Sequence, residues 1–311
     1  VPDPEIAVVI CAYSLERWDA LVAAVASVAA QGSRAREIVV VIDHNEELRE
    51  RAAGELDAGV IANDGRRGLA GARNAGVAAT AAPIVAFLDD DALAQPDWLE
   101  QLLTGYAERP QALGVGGSIE PDWEAGRPVW FPEEFDWVVG CSYRGLPSAP
   151  AVVRNLIGAN MSVRRGALEA VGGFREELGR LPSGAGAVEE TDFCIRVQER
   201  FPERPWVYWP AARVSHTVPA ARSNWAYFRA RCLNEGLAKA AMVAGTGART
   251  GLESERRYVR RVLPAGVARG LARGLRADAG GPLRAGTIVL GLAYTTAGYL
   301  RGRLPISAGR P

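Results

Sequence analysis

Apolar residues fall in short unbroken runs along the first third of the chain, and polar residues close each run. Residues 6–11, 38–42 (in a strand that begins at Glu37), 60–62 and 84–88 are such runs, rich in Val and Ile. Continuous apolarity of this kind predicts strands buried on both faces. Between the runs, apolar positions recur at helical spacing. Leu21, Val22, Val25 and Val28 mark a helix over 17–31 closed by Gly32. A short polar helix follows over 46–56 and an Ala-rich one over 69–80. Strand and helix alternate, so the fold class is α/β, with a mostly parallel central sheet and helices on both faces. Every strand delivers a polar group at its carboxyl end: Tyr13, Asp43, Asp64, then Asp89, Asp90 and Asp91. Open α/β sheets bind ligands beyond those ends, and four in succession outline a crevice for a nucleotide-like ligand.

The pattern is less regular downstream. A helix is expected over 96–106 and a strand over 113–117. Residues 119–150 then read as irregular, with Trp123, Trp130, Phe131, Phe135, Trp137 and Tyr143 among prolines and glycines. Long segments of this type are commonly functional loops, and their aromatics either pack on a core or stack on sugar rings. A strand over 158–163 and a helix over 165–171 precede a loop of small residues at 181–187. Glu189, Glu190 and Asp192 open the next helix, where the helix dipole favours acids whether or not they do chemistry. Short strands at 206–209 and around Val214 lead to His216, and a helix over 224–244 follows.

Composition narrows the class. The chain has 311 residues, 48% hydrophobic and 23% charged, with formal net charge zero. That profile is a globular enzyme's and argues against disorder or nucleic-acid binding. Cys11, Cys141, Cys194 and Cys232 lack metal-binding spacing, and residues 1–5 lack a signal pattern, so reduced thiols in a cytosol are expected. No G-x-G-x-x-G follows the first strand and no P-loop is present. The Gly-rich segment 65–76 carries Arg66, Arg67 and Arg73 into a helix start, which suits an anion as well as a plain turn. Three adjacent aspartates repel one another. A divalent cation relieves that, Mg²⁺ or Mn²⁺ by ligand type; a solvated acidic turn is the plainer alternative. From 253 to 311 eleven arginines face three acids. An interfacial membrane tail and a packed helical pair, or dimer contact, both stay open there.

Taken in order, these pieces resemble family 2 glycosyltransferases of the GT-A fold. The match is carried by Cys11-Ala12-Tyr13, the strand ending in Asp43, the Gly68 to Gly76 segment and Phe87-Leu88-Asp89-Asp90-Asp91. Gly158-Ala159-Asn160-Met161, Gly172-Gly173-Phe174, Glu189-Glu190-Thr191-Asp192 with Arg196, and His216 complete it. The resemblance implies an inverting, metal-dependent transfer from a nucleotide-sugar donor, a UDP-sugar first, to an acceptor hydroxyl. It assigns Ala12, Tyr13, Glu16, Asp43, Asp64, Gly68, Arg73, Asp89 and Asp90 to the donor. Asp89 and Asp91 become a DXD pair that holds Mn²⁺ or Mg²⁺ with His216. Glu190 stands where the family more often has an aspartate base, with Asp192 as the next candidate. Asn160, Trp123 and Glu189 fall on the acceptor side. The expected catalytic domain spans 1–245, divided near 117 into nucleotide-sugar and acceptor halves, with a basic helical extension over 246–311. Expected partners are a glycan, lipid-linked or small-molecule acceptor, a membrane surface through the tail, and a second copy in a homodimer. The expected location is cytoplasmic, peripheral on the inner face of the plasma membrane. A sugar-nucleotide nucleotidyltransferase and a non-catalytic nucleotide-sugar-binding or glycan-binding module are the competing readings.

Overall fold

A computed structural model describes residues 5–31, 35–178, 189–246 and 253–304. The expected loop at 181–187 lies outside them. Contacts divide the chain into two compact units. The first comprises Val1–Pro121, Pro147–Arg180 and Glu189–Thr217; the second comprises Asp122–Leu146, Leu181–Val188 and Val218–Pro311. The units divide at Pro121 and Thr217, and residues 122–146 group with the C-terminal helices.

The first unit opens with β1 (Ile6–Ala12), α1 (Trp18–Ala29), β2 (Ala35–Ile42), α2 (Glu46–Glu55), β3 (Gly59–Ala62), α3 (Leu69–Ala78) and β4 (Ile84–Asp89). Then come β5 (Ala92–Ala94), α4 (Trp98–Glu108), β6 (Gly114–Trp123), β7 (Ala151–Val153), β8 (Asn160–Arg164), α5 (Arg165–Val171), α6 (Glu189–Arg200) and β9 (Trp206–Val218). Sheet order is β3-β2-β1-β4-β8-β6-β9-β5, with β7 paired to β9. The first four strands are parallel, as their alternation with helices predicts. From β8 onward the pairings resolved residue by residue are antiparallel. Central β1 is buried almost throughout, which is why its sequence shows no alternation.

Two strands run further than apolar continuity suggests. β6 continues to Trp123, and its last residues alternate in exposure, an edge pattern that a search for unbroken runs passes over. β9 is one strand of 13 residues rather than two short ones. Pro210 interrupts it between the segment paired with β7 and the segment paired with β5, a position where its missing N–H is tolerated.

The second unit is built on aromatics and close helices. A 3₁₀ stretch, Glu133–Val139, precedes α7 (Trp225–Thr246). α8 (Glu253–Arg257) passes through one π turn into α9 (Leu263–Gly274), and α10 (Gly280–Arg303) follows. Phe228 of α7 meets Trp130, Phe131, Phe135 and Trp225 with ring centroids 5.3–5.7 Å apart. The aromatics of 119–150 therefore pack, the plainer of their two readings. α10 lies on α7 at backbone distance: a Cβ on Gly298 would sit 2.0 Å from the Leu233 carbonyl oxygen. Among the described residues, no helix is long and apolar enough to cross a membrane.

Candidate active site

The parallel strands end together, and Asp43 ties their ends. Its N–H donates to the Ala12 carbonyl (2.8 Å). Its carboxylate accepts from the Gly68 N–H (2.9 Å) and from Asn63 Nδ2 (2.6 Å), with His44 Nδ1 at 2.9 Å. This buried carboxylate thus fixes the ends of β2 and β3 and the start of α3. His44 takes a left-handed φ of 53° to reach it. Beside it a cleft of about 420 Å³ is lined in part by Ile42, His44, Asn45 and Asp64. Asp64, expected on the donor side, is exposed and lines this cleft, and the neighbouring Asn63 holds Asp43.

Arg73 is the centre of the site. α3 carries it into the interior, where Nη1 lies 3.2 Å from Glu189 Oε1 and Nη2 lies 3.7 Å from Asp89 Oδ1. Its guanidinium also faces the rings of Phe174 and Phe87. Burial opposes its charge, but Glu189 and Asp89 outweigh that and keep its pKa raised. Room is made by Gly158, where a Cβ would stand 2.4 Å from Nη2.

The three aspartates divide. Asp89 is half-buried at the end of β4; Asp90 and Asp91 are buried. Arg17, just before α1, spans the latter two, with Nη1 2.5 Å from Asp90 Oδ1 and Nη2 2.8 Å from Asp91 Oδ2. The antiparallel pairing of β5 with β9 sets His216 opposite Ala92, and His216 Nε2 comes within 3.1 Å of Asp91 Oδ1. One ligand atom each from Asp89, Asp91 and His216 lie within 4.8 Å of one another. Burial pushes Asp90 up to about 7, with Arg17 opposing and Asp91 and Asp89 adding to it. His216 Nδ1 and Asp90 Oδ2 are buried without a hydrogen-bond partner, so protein groups alone do not satisfy the cluster. Two carboxylates and an imidazole suit a borderline divalent ion such as Mn²⁺. The residues fit a metal.

Across Arg73 stand two glutamates at the start of α6. Glu189 is buried and Glu190 half-buried, and each has a buried Oε2 with no partner. Burial raises the Glu190 pKa well above the usual carboxylate range; Glu189 beside it adds to this and Arg73 opposes it. Such a carboxylate can take a proton from a hydroxyl. Asp192 differs: its oxygens lie 3.1 Å from Arg175 and 2.7 Å from Arg196. Arg196 in turn donates to the Val171 and Gly173 carbonyls, so the pair anchors α6 to the end of α5.

The remaining expected residues scatter. Asn160 is buried, donates to the Ser118 and Ala212 carbonyls and accepts from Trp98 Nε1, so its side chain is consumed by the core. Tyr13 is exposed beyond β1 with Arg17 facing its ring. Glu16 is exposed, and its N–H donates to Ser14 Oγ. Trp123 belongs to the second unit, against Phe131 and under Arg127. Arg17 and Asn63 had no assigned role in the sequence. Asn63 was signalled by its place directly after β3; Arg17 lies 73 residues from Asp90, and no local pattern couples them.

Comparison with known proteins agrees with this geometry. The model of glycosyl transferase family 2 matches residues 7–172. The glucosyl-dolichyl phosphate glucuronosyltransferase of Haloferax volcanii is 38% identical over 242 residues, covering 76% of this chain and 77% of that protein. The pre-mycofactocin glycosyltransferase of Mycobacterium tuberculosis is 30% identical over 192 residues, 60% of this chain but only 39% of its own length. Two solved structures share the fold. The mannosyltransferase PcManGT of Pyrobaculum calidifontis, in complex with GDP-Man and Mn²⁺, has a TM-score of 0.61 at 18% identity, covering 96% of this chain and 87% of that one. GalNAc-T7 with UDP, GalNAc and Mn²⁺ has 0.51 at 17% identity, covering 69% and 43%. The chain belongs to glycosyl transferase family 2, and the family and GT-A fold expected from its sequence are those found.

Proposed function

We propose that this glycosyltransferase moves a sugar, with inversion, from a UDP-sugar to a hydroxyl of a lipid-linked acceptor. The observation that supports this most is Arg73, whose guanidinium faces Asp89 on one side and Glu189, next to Glu190, on the other. It sets the acids of the leaving group and of the nucleophile on opposite sides of one buried cation. Asp43, oriented by Asn63 and Gly68, receives the base and ribose. Asp89, Asp91 and His216 would hold Mn²⁺ or Mg²⁺, which when bound neutralises charge on the departing diphosphate. Arg17 keeps Asp90 and Asp91 turned toward the site. Glu190 takes the proton of the acceptor hydroxyl, whose oxygen forms the new bond to the anomeric carbon from the face opposite the diphosphate. The bond to UDP breaks, UDP leaves, and the configuration inverts. Asp192 acts as the anchor of α6 rather than as the base.

The acceptor class is supported by the Haloferax volcanii relative, whose name gives it a glucosyl-dolichyl phosphate substrate. It is supported too by the excess of arginine in the C-terminal helices, which suits an enzyme working peripherally at the inner face of a membrane. The donor is tested by a thermal-shift series with UDP, GDP and their sugars, with and without Mn²⁺. UDP should stabilise only when the metal is present; a larger shift with GDP would overturn the donor assignment. Glu190→Gln should keep the UDP shift while transfer falls by about 10²–10⁴-fold. Full turnover by that variant would remove Glu190 as the base.

A further inference from the structure

The last described helix turns most of its large aliphatics to water. α10 turns Gly281, Ala285, Gly291 and Gly298 inward. Of its large aliphatics, Ile288 is buried and Leu292 half-buried, but Leu283, Val289, Leu290 and Leu300 face outward, as do Leu271 of α9 and Leu275 just after it; these six outward residues are between 45% and 91% exposed. An ordinary surface helix does the reverse, with its aliphatic stripe on the core. The inward glycines are used: Gly298 meets the α7 backbone, and a Cβ on Gly270 would stand 2.6 Å from the Gly281 carbonyl oxygen. Helices brought together by small residues, with aliphatics outward, are the packing style of a lipid environment.

Charge says which kind. Between 256 and 304 there are ten arginines and one acid, Asp278, and that acid is paired with Arg284. Residues 285–300 carry no charge, and Arg284, Arg301 and Arg303 bracket them. Arg273 in the last turn of α9 and Arg276 just after it are exposed, as are Leu271 and Leu275. At 1.5 Å per residue the uncharged stretch is about 24 Å long, short of the roughly 30 Å of a hydrocarbon core. It is long enough to lie in an interface, apolar in the middle and basic at the rims.

We infer that the outward face of α9 and α10 is a docking surface for a bilayer carrying anionic headgroups, lying in its interface without crossing it. This deepens the reading of a lipid-linked acceptor and rests on that reading for its purpose. The surface itself is defined by the second unit alone. Anionic lipid is the occupant that fits because arginines flank the aliphatic stripe and the one acid is already neutralised.

The test is co-sedimentation of the full chain with vesicles of phosphatidylcholine alone and of phosphatidylcholine mixed with phosphatidylglycerol. The chain should partition to the mixed vesicles, and added salt should weaken that binding. Val289→Glu with Leu290→Glu should lower partitioning at least about tenfold. Arg273→Gln and Arg276→Gln should each lower it about fivefold on mixed vesicles only. Unchanged binding by the Val289/Leu290 variant would overturn the inference. So would a parent chain that ignores vesicles and forms a dimer that the same variant dissolves. The UDP and Mn²⁺ thermal shift, measured on every variant, reports folding and separates the two readings. A normal shift without vesicle binding removes only the docking surface, and vesicle binding without the shift removes only the donor assignment.

Discussion

The two units solve opposite problems. The first must keep charge inside protein: Arg73, Asp90, Asp91 and Glu189 are all buried, and each leans on another charged group. The second buries mostly rings and glycine backbone, and its few buried acids, Glu134 and Asp136, are met by Arg269 and Arg127. In the first, glycine makes room for a cation at Gly158; in the second, it makes room for another helix at Gly236 and Gly298. The difference teaches where each unit is brittle. A buried charge network fails when one partner goes, because the rest are left uncompensated. Ring and backbone contacts fail by steric mismatch, which neighbours can partly absorb.

Four substitutions would break or sharpen that contrast. Arg73→Ala should be the most damaging, lowering urea-derived stability by about 3–5 kcal/mol, since Glu189 and Asp89 lose their shared cation. A loss below about 1 kcal/mol would mean that the network is not what holds the first unit. Next comes Arg127→Ala in the second unit, at about 3 kcal/mol near neutral pH. Burial pushes Asp136 up to about 6 even with Arg127 bonded to it, against roughly 3.9 unfolded. Its contribution to stability is therefore full below about 4 and is lost as pH rises through about 6. Without Arg127, the deficit should shrink as pH falls, because protonated Asp136 needs no cation. A deficit that grows toward pH 5 would reverse that assignment.

Gly236→Ala should cost about 2 kcal/mol. Its Cβ would fall 2.1 Å from the Thr295 carbonyl oxygen, so α10 must move off α7; a neutral result would show that these helices slide freely. The smallest change in stability should come from Arg17→Ala, because Asp90, pushed up to about 7, can take a proton in place of the lost cation and Asp91 keeps His216 at 3.1 Å. Its effect should fall instead on the metal: the Mn²⁺ concentration for half-maximal activity should rise about tenfold or more, with little change in melting temperature. Equal losses of stability and Mn²⁺ response would make Arg17 a plain structural pair.

Much of the first unit was legible because its strands are buried on both faces, and burial on both faces leaves an unbroken apolar run. Asp43, Asp89 and Asp91 were legible as the polar ends of such runs. Contacts that sequence distance hides were not. Arg17 reaches Asp90 across 73 positions and Arg73 reaches Glu189 across 116. Asn160, placed on the acceptor side by the family resemblance, has its side chain engaged in three hydrogen bonds to Trp98, Ser118 and Ala212. The extent of β9 was hidden by Pro210, which reads as a breaker until its partners on either side are known. In the second unit, the aromatics of 119–150 could not be assigned from sequence, because their partners, Trp225, Phe228 and Tyr258, lie far downstream.

That last separation has a consequence for how the protein is made. The sheet of the first unit is complete once β9 leaves the ribosome. By then Trp130, Phe131 and Phe135 have already emerged, while Phe228 and Tyr258, which cover them, have not. At ordinary translation speeds the interval up to Tyr258 is a few seconds, roughly 2–8 s. For that time a growing chain displays a cluster of large rings without the residues that cover them. The nascent polypeptide is thus a natural client for a ribosome-associated chaperone. Its yield in a cell should depend more on the pace of translation through α7 and α8 than on the stability of the finished fold.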